Sequence, residues 1–186
     1  MERTDEALYE SFIKGNDEEA IRLLFDKYRE PLTAYVNGIV RNVDDAEEIM
    51  MDCFAIVIAA TTRFTGRQKS TFKTWLYAIA TKRAYLFLRK HPMTQSLEEG
   101  AKGSEPESGL LREEKNRALY EAMSKLSCDQ KTVLYLKFFE DMKPEEISRI
   151  MKKSVKQVYK LTENGKMRLR ELLGESITGG DSIWDM

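Results

Sequence analysis

The side chains of this chain with the most chemistry to offer are cations and aromatics, and they gather in one stretch. Between Asp52 and Glu98 there is no Asp or Glu, whereas Arg63, Arg67, Lys69, Lys73, Lys82, Arg83, Arg89 and Lys90 all fall there. Phe64, Phe72, Trp75, Tyr77, Tyr85 and Phe87 are interleaved with them. Ammonium and guanidinium groups displace counterions from a phosphate backbone, and aromatic rings stack on unpaired bases. The combination therefore fits nucleic-acid binding. A basic amphipathic helix is also commonly just a solvated core helix. What favours the binding reading is the complete charge segregation in a chain of net charge -1. A second basic stretch holds Arg149, Lys152, Lys153, Lys156, Lys160, Lys166, Arg168 and Arg170, with Glu163 the lone acid among them. Residues 1–52 have the opposite balance, fourteen acids against six bases. That half should face a basic protein surface or solvent.

Catalytic chemistry has little material. His91 is the only histidine, so a histidine zinc site or a nucleophile–histidine pair is not expected. Cys53 and Cys128 lie far apart in sequence, and both read as free thiols in a reducing compartment. A DNA-processing enzyme would need a nucleophile with a carboxylate or metal constellation, and the acid-free run offers none. The chain therefore reads as a binding protein rather than an enzyme, with no cofactor and no metal.

The elements that must carry these groups read as helices. Ten glycines and four prolines in 186 residues are few for tight-turned β architecture. Residues 5–14 form a short helix with Leu8, Phe12 and Ile13 on its apolar face. Asn16 or Asp17 caps a longer helix over 17–41, in which Pro31 predicts a kink or break. Residues 44–58 form a third helix that opens with Asp44 and Asp45, where acids suit the helix dipole. It buries Ile49, Met50, Cys53, Phe54, Val57 and Ile58, and holds Glu47, Glu48 and Asp52 on the other side. A loop over 61–69 precedes the basic helix 70–90, which Ser70 or Thr71 caps and Pro92 limits. In that helix Phe72, Leu76, Ile79 and Phe87 should face the core; the side taken by Trp75 is open.

From residue 91 to 112 the chain is polar, acidic and without periodicity, which is linker composition. Beyond it, Leu111, Ala118, Leu119, Ala122, Met123 and Leu126 stripe another helix. Ser127 with Gln130 forms a capping box, and Pro144 takes the first position of a short helix. A turn at 152–154 then leads to a basic helix with Gly165 as its weak point. Two short helices joined by a tight turn, the second basic, have the form of a helix-turn-helix. The fold class is all-α: two helical domains joined by a flexible linker. The boundaries are 1–91, an acidic linker 92–110, the helix-turn-helix domain 111–174, and an acidic tail 175–186. No apolar run approaches the roughly 18 residues of a membrane span, and the polar N-terminus has no signal-peptide core. A cytoplasmic location follows.

Asp45-Ala46-Glu47-Glu48-Ile49 through Phe54, and Phe72-Lys73-Thr74-Trp75-Leu76-Tyr77-Ala78-Ile79-Ala80 through Leu88-Arg89-Lys90, resemble two conserved-type motifs of the extracytoplasmic-function sigma factors of bacterial RNA polymerase. Lys125-Leu126-Ser127 with Val133-Leu134, then Glu146-Ile147 and Ser154 to Val158, resemble their second domain. The resemblance covers nearly the whole chain outside linker and tail. It implies a minimal two-domain factor that binds core RNA polymerase and directs promoter recognition and strand opening. On that resemblance Asp45, Glu47, Glu48 and Asp52 would dock on polymerase. Arg63, Phe64, Arg67, Lys69, Lys73, Tyr77, Lys82 and Arg83 would bind the opened minus-ten element. Lys153, Ser154, Lys156, Gln157, Tyr159 and Lys160 would read the minus-thirty-five element. Lys152 stands where the family commonly has a turn glycine. The resemblance leaves room for an anti-sigma partner and implies no membrane insertion.

A relaxed linker of about 22 residues spans roughly 25 Å, against roughly 50 Å or more between two promoter elements that lie more than one helical turn apart. Polymerase, not the linker, should therefore set the domain spacing, and the free chain should bind promoter DNA poorly. A stand-alone helix-turn-helix regulator is the competing reading, and it requires tight duplex binding without polymerase.

Overall fold

A computed structural model describes residues 3–59, 64, 70–91, 119 and 121–173. The expected linker 92–110, the tail 175–186 and the expected DNA-binding residues Arg63, Arg67 and Lys69 lie outside the described residues. The described residues form helices α1 (Asp5–Gly15), α2 (Glu18–Val40), α3 (Val43–Ile58), α4 (Phe72–Lys90), α5 (Cys128–Phe138), α6 (Pro144–Met151) and α7 (Val155–Leu173), with no strand among them.

Local chemistry accounts for the boundaries. The side chain of Asp17 accepts from the Ala20 N–H at 3.1 Å and starts α2. Asn16 does the other job, closing α1 in the left-handed region at φ 52°. Asn42 caps α3 through the Asp45 N–H at 3.0 Å, and Thr71 caps α4 through the Thr74 N–H at 3.1 Å. The Ser127–Gln130 capping box is complete in both directions, at 3.1 and 3.2 Å.

Pro31 does not break α2, which runs unbroken from Glu18 to Val40. The reason is packing on both sides of it. Leu24 and Tyr28 before the proline, and Leu32, Tyr35 and Val36 after it, are all buried in the same core. The carbonyl that the missing N–H leaves unpaired belongs to exposed Lys27, where water can satisfy it.

Helices α1 to α4 make the first unit. α2 packs against α1, α3 and α4, so its apolar stripe is the spine of the core. Phe54, Phe72, Leu76, Ala80 and Ala84 close on it. In the second unit α5 packs on α7, and α6 on both. Gly165 is a close-approach point there, not a weak one. A Cβ at that position would lie 3.0 Å from Leu134 Cδ1, so only glycine lets α7 seat on α5 without displacing buried Leu134. The two units also pack on each other, α4 against α6 and α2 against α5.

Candidate nucleic-acid and polymerase interfaces

The acidic face of α3 looks outward. Glu47, Glu48 and Asp52 are exposed and Asp45 is half-buried, while Ala46, Ile49, Met50, Cys53, Phe54 and Val57 are buried behind them. Burial pushes the Cys53 thiol up to about 12, which leaves it protonated and inert. Ile58, expected in the core, is 52% exposed, and Met51 is 54% exposed. Sequence periodicity missed this: the outward face of α3 mixes acids with large apolar side chains. Mixed faces of that kind suit a protein partner better than water. A groove of about 630 Å³ runs between α3 and the end of α4, and brings Asp45, Glu48 and Asp52 together with Arg83, Leu86, Phe87 and Lys90. Arg83 lies 3.8 Å from Asp52 across it.

Helix α4 is held at its start by α1. The Glu6 carboxylate accepts the Phe72 N–H at 2.9 Å, placing negative charge at the positive end of the helix dipole. Tyr9 packs against Phe72, Trp75 and Phe64 at ring-centre distances of 5.3, 5.4 and 6.2 Å. This answers the question about Trp75, which is half-buried on the core. Phe64 is half-buried, its ring held in the same aromatic cluster with Tyr9, Phe72 and Trp75.

The expectation for Tyr77 needs correction. Its side chain is fully buried against Tyr35, with ring centres 5.1 Å apart, and so is not presented to DNA. Its hydroxyl faces the Glu140 carboxylate without a well-formed hydrogen bond. Burial first, and that carboxylate second, raise the phenol well above its ordinary value. Next to it the Tyr35 hydroxyl donates to Thr81 Oγ1 at 2.6 Å, and Thr81 donates to the Tyr77 carbonyl at 2.7 Å. Of the other α4 candidates Lys82 is exposed and Arg83 half-exposed. Lys73 is engaged by the second unit, through the Glu140 carboxylate at 3.0 Å and the Glu140 carbonyl at 2.9 Å.

The helix-turn-helix is α6, the turn 152–154 and α7. Lys152 occupies the left-handed region at φ 53°, the conformation glycine takes most easily. The Ser148 hydroxyl donates to the Lys153 carbonyl at 2.6 Å and tightens the turn. Lys156, Tyr159 and Lys160 are exposed along the outer face of α7, with Tyr159 50% and Met167 57% exposed. Ser154 and Gln157, both exposed, make a capping box. The Gln157 N–H donates to Ser154 Oγ at 3.2 Å, and the Ser154 N–H donates to Gln157 Oε1 at 2.8 Å. The orphan N–H groups of the first turn explain this, and the S-x-x-Q spacing could have shown it. Lys153 is tied to Asp129 at 2.9 Å.

Among the described residues no group of His, Cys, Asp and Glu is placed to hold a metal ion, and no helix is long and apolar enough to cross a membrane.

The family model for sigma-70 region 2 matches residues 24–92, and the one for sigma-70 region 4 matches residues 116–169. The chain is 31% identical over 153 residues to the RNA polymerase sigma factor SigV of Bacillus subtilis (strain 168), covering 80% of each. It is 27% identical to the RNA polymerase sigma-H factor of Pseudomonas aeruginosa, over 92% of this chain and 97% of that one. Among solved structures, CnrH in complex with the cytosolic domain of CnrY shares the fold, with a TM-score of 0.68 at 19% identity over 91% of this chain and 96% of that one. The sigma factor RpoE from Bartonella quintana, solved in complex with the anti-sigma factor NepR, matches with a TM-score of 0.68 at 20% identity over 82% and 95%. Two helical units with an outward acidic helix, a basic helix and a helix-turn-helix thus coincide with matched regions 2 and 4, and the chain belongs to the extracytoplasmic-function sigma factors, which give RNA polymerase its promoter recognition.

Proposed function

We propose that the three outward faces divide the work of this sigma factor. The α3 face, with Glu47, Glu48 and Asp52 around Met51 and Ile58, docks on core RNA polymerase. Lys82 and Arg83 of α4, with the basic segment 61–69 before it, hold the opened minus-ten strand. Lys156, Tyr159 and Lys160 of α7 read the minus-thirty-five element in the major groove. The chain performs no bond chemistry itself and acts where polymerase acts, in the cytoplasm. CnrH was solved with the cytosolic domain of CnrY and RpoE with the anti-sigma factor NepR, and this chain takes an anti-sigma partner as RpoE does.

The observation that carries this reading is the separation of charge by face. Acids and exposed apolar residues share α3, while α4 and α7 present the bases. Electrostatic complementarity of this kind steers docking and excludes wrong partners. The test is a charge reversal. Glu47→Lys with Glu48→Lys should lower affinity for core polymerase at least tenfold and leave the melting temperature unchanged. Unaltered core binding by that double variant contradicts the assignment of α3.

A further inference from the structure

Helix α1 is fastened to the neighbouring chain at two points. Near its start the Asp5 carboxylate accepts from Lys27 Nζ at 2.6 Å and from the Tyr28 hydroxyl, both on α2. Further along, the Ser11 hydroxyl donates to Asp17, the residue that caps α2, at 2.8 Å. Held in this way, α1 presents Glu6 and Tyr9 to the start of α4. Tyr9 is 3% exposed and lies against the two rings of the first turn, 5.3 Å from Phe72 and 5.4 Å from Trp75. It also meets Phe64 edge-on at 6.2 Å.

Among the described residues the rings that meet Phe64 are Tyr9, Phe72 and Trp75, and of these Tyr9 alone comes from outside α4. Phe64 stands in the sequence between Arg63 and the bases Arg67 and Lys69. One aromatic contact thus joins α1, the first turn of α4 and a residue of the basic segment before it. The region 2 match begins at residue 24, so α1 lies outside it.

We infer that Tyr9 is a positioning residue for promoter opening. At 3% exposure it does not reach DNA itself. It holds Phe64 against Phe72 and Trp75, and so sets the basic segment in register with Lys82 and Arg83 further along α4. The inference rests on the proposed role of that segment and of α4 at the minus-ten strand, and adds the residue that aligns them. The physical reason is preorganisation. A strand gripped by groups on two pieces of chain is held well only when the pieces already stand in register, because otherwise binding must order them first. Edge-on ring pairs favour one mutual geometry, which a leucine in the same place does not impose.

The experiment uses the full chain with core RNA polymerase and a promoter that responds in run-off transcription. A 2-aminopurine base in the minus-ten element reports opening, and labelled core polymerase reports affinity for the chain. Each variant is measured at a temperature where circular dichroism shows it fully helical. Tyr9→Leu, which keeps an apolar group without the ring, should slow opening at saturating polymerase at least tenfold and leave core affinity unchanged. Tyr9→Phe, which keeps the ring, should open the promoter at the wild-type rate. Phe64→Leu should slow opening at least as much as Tyr9→Leu. The double variant should lose no more than the worse of the two, because both act through one contact, whereas unrelated losses would add. Wild-type opening by Tyr9→Leu, slow opening by Tyr9→Phe, an equal loss of core affinity, or additive losses in the double variant each overturn the inference. Lys82→Ala with Arg83→Ala separates it from the reading beneath. If that variant opens the promoter normally, the role of α4 at DNA is overturned and the inference with it; if it is slow while Tyr9→Leu is not, the inference alone falls.

Discussion

Gly165 and Lys152 make opposite bargains with the backbone. In an open helix, Gly→Ala gains about 1 kcal/mol. Here the added methyl meets Leu134 at 3.0 Å, so we expect that gain to vanish for Gly165→Ala. Gly165→Val should destabilise by about 1–3 kcal/mol through overpacking. Lys152 holds φ at 53° with a Cβ present, and Lys152→Gly should stabilise the turn by about 0.5–1 kcal/mol. Chemical denaturation of the full chain checks both signs; a stabilised Gly165→Val or a destabilised Lys152→Gly contradicts the assignments. These residues also show where sequence reading ends. The turn at Lys152 was legible because its place after Met151 and before a basic helix is local information. The packing of Tyr77, Phe64 and Gly165 was not, because each depends on a partner distant in sequence: Tyr35, Tyr9 and Leu134. A tyrosine among cations looks like a stacking residue until the helix that buries it is in place.

Among the elements, α1 does more than its short length suggests. It lies before residue 24, where the region 2 match begins, yet its Glu6 caps α4 and its Tyr9 gathers Phe64, Phe72 and Trp75. Glu6→Ala should cost about 1 kcal/mol by orphaning the Phe72 N–H, and hydrogen exchange at the first turn of α4 should rise with it. Unchanged exchange there contradicts the capping role. Apart from the helix expected from Leu111 to Leu126, most of which lies outside the described residues, the helices were readable from their stripes and caps, and their ends moved by one or two residues. The continuity of α2 through Pro31 was not, since local proline chemistry says break and only the common core of Leu24, Tyr28, Leu32 and Tyr35 says continue.

For the whole molecule, the segregation of acids and bases along the chain becomes a segregation of faces, and the two units close on each other, α4 against α6 and α2 against α5. This closure carries its own pH dependence. Burial first, and Arg41 second, push the Lys131 ammonium down to about 8 in the closed chain, from 10.5 for the free side chain, with Cys128 acting weakly the other way. The closed state therefore binds fewer protons than an open state in which Lys131 is solvated. Closure should strengthen as pH rises from about 8 toward 10.5, and this gain is absent at lower pH, where both states hold the proton. Scattering across that range should show compaction in wild type and none in Lys131→Met; compaction that persists in the variant assigns the effect to another group. The most direct measurement of the account as a whole is run-off transcription from a pooled genomic promoter library by core RNA polymerase, with and without this chain. We expect new transcripts that require the chain and disappear with Glu47→Lys plus Glu48→Lys. No stimulation on any promoter, or stimulation that survives the charge reversal, would contradict it.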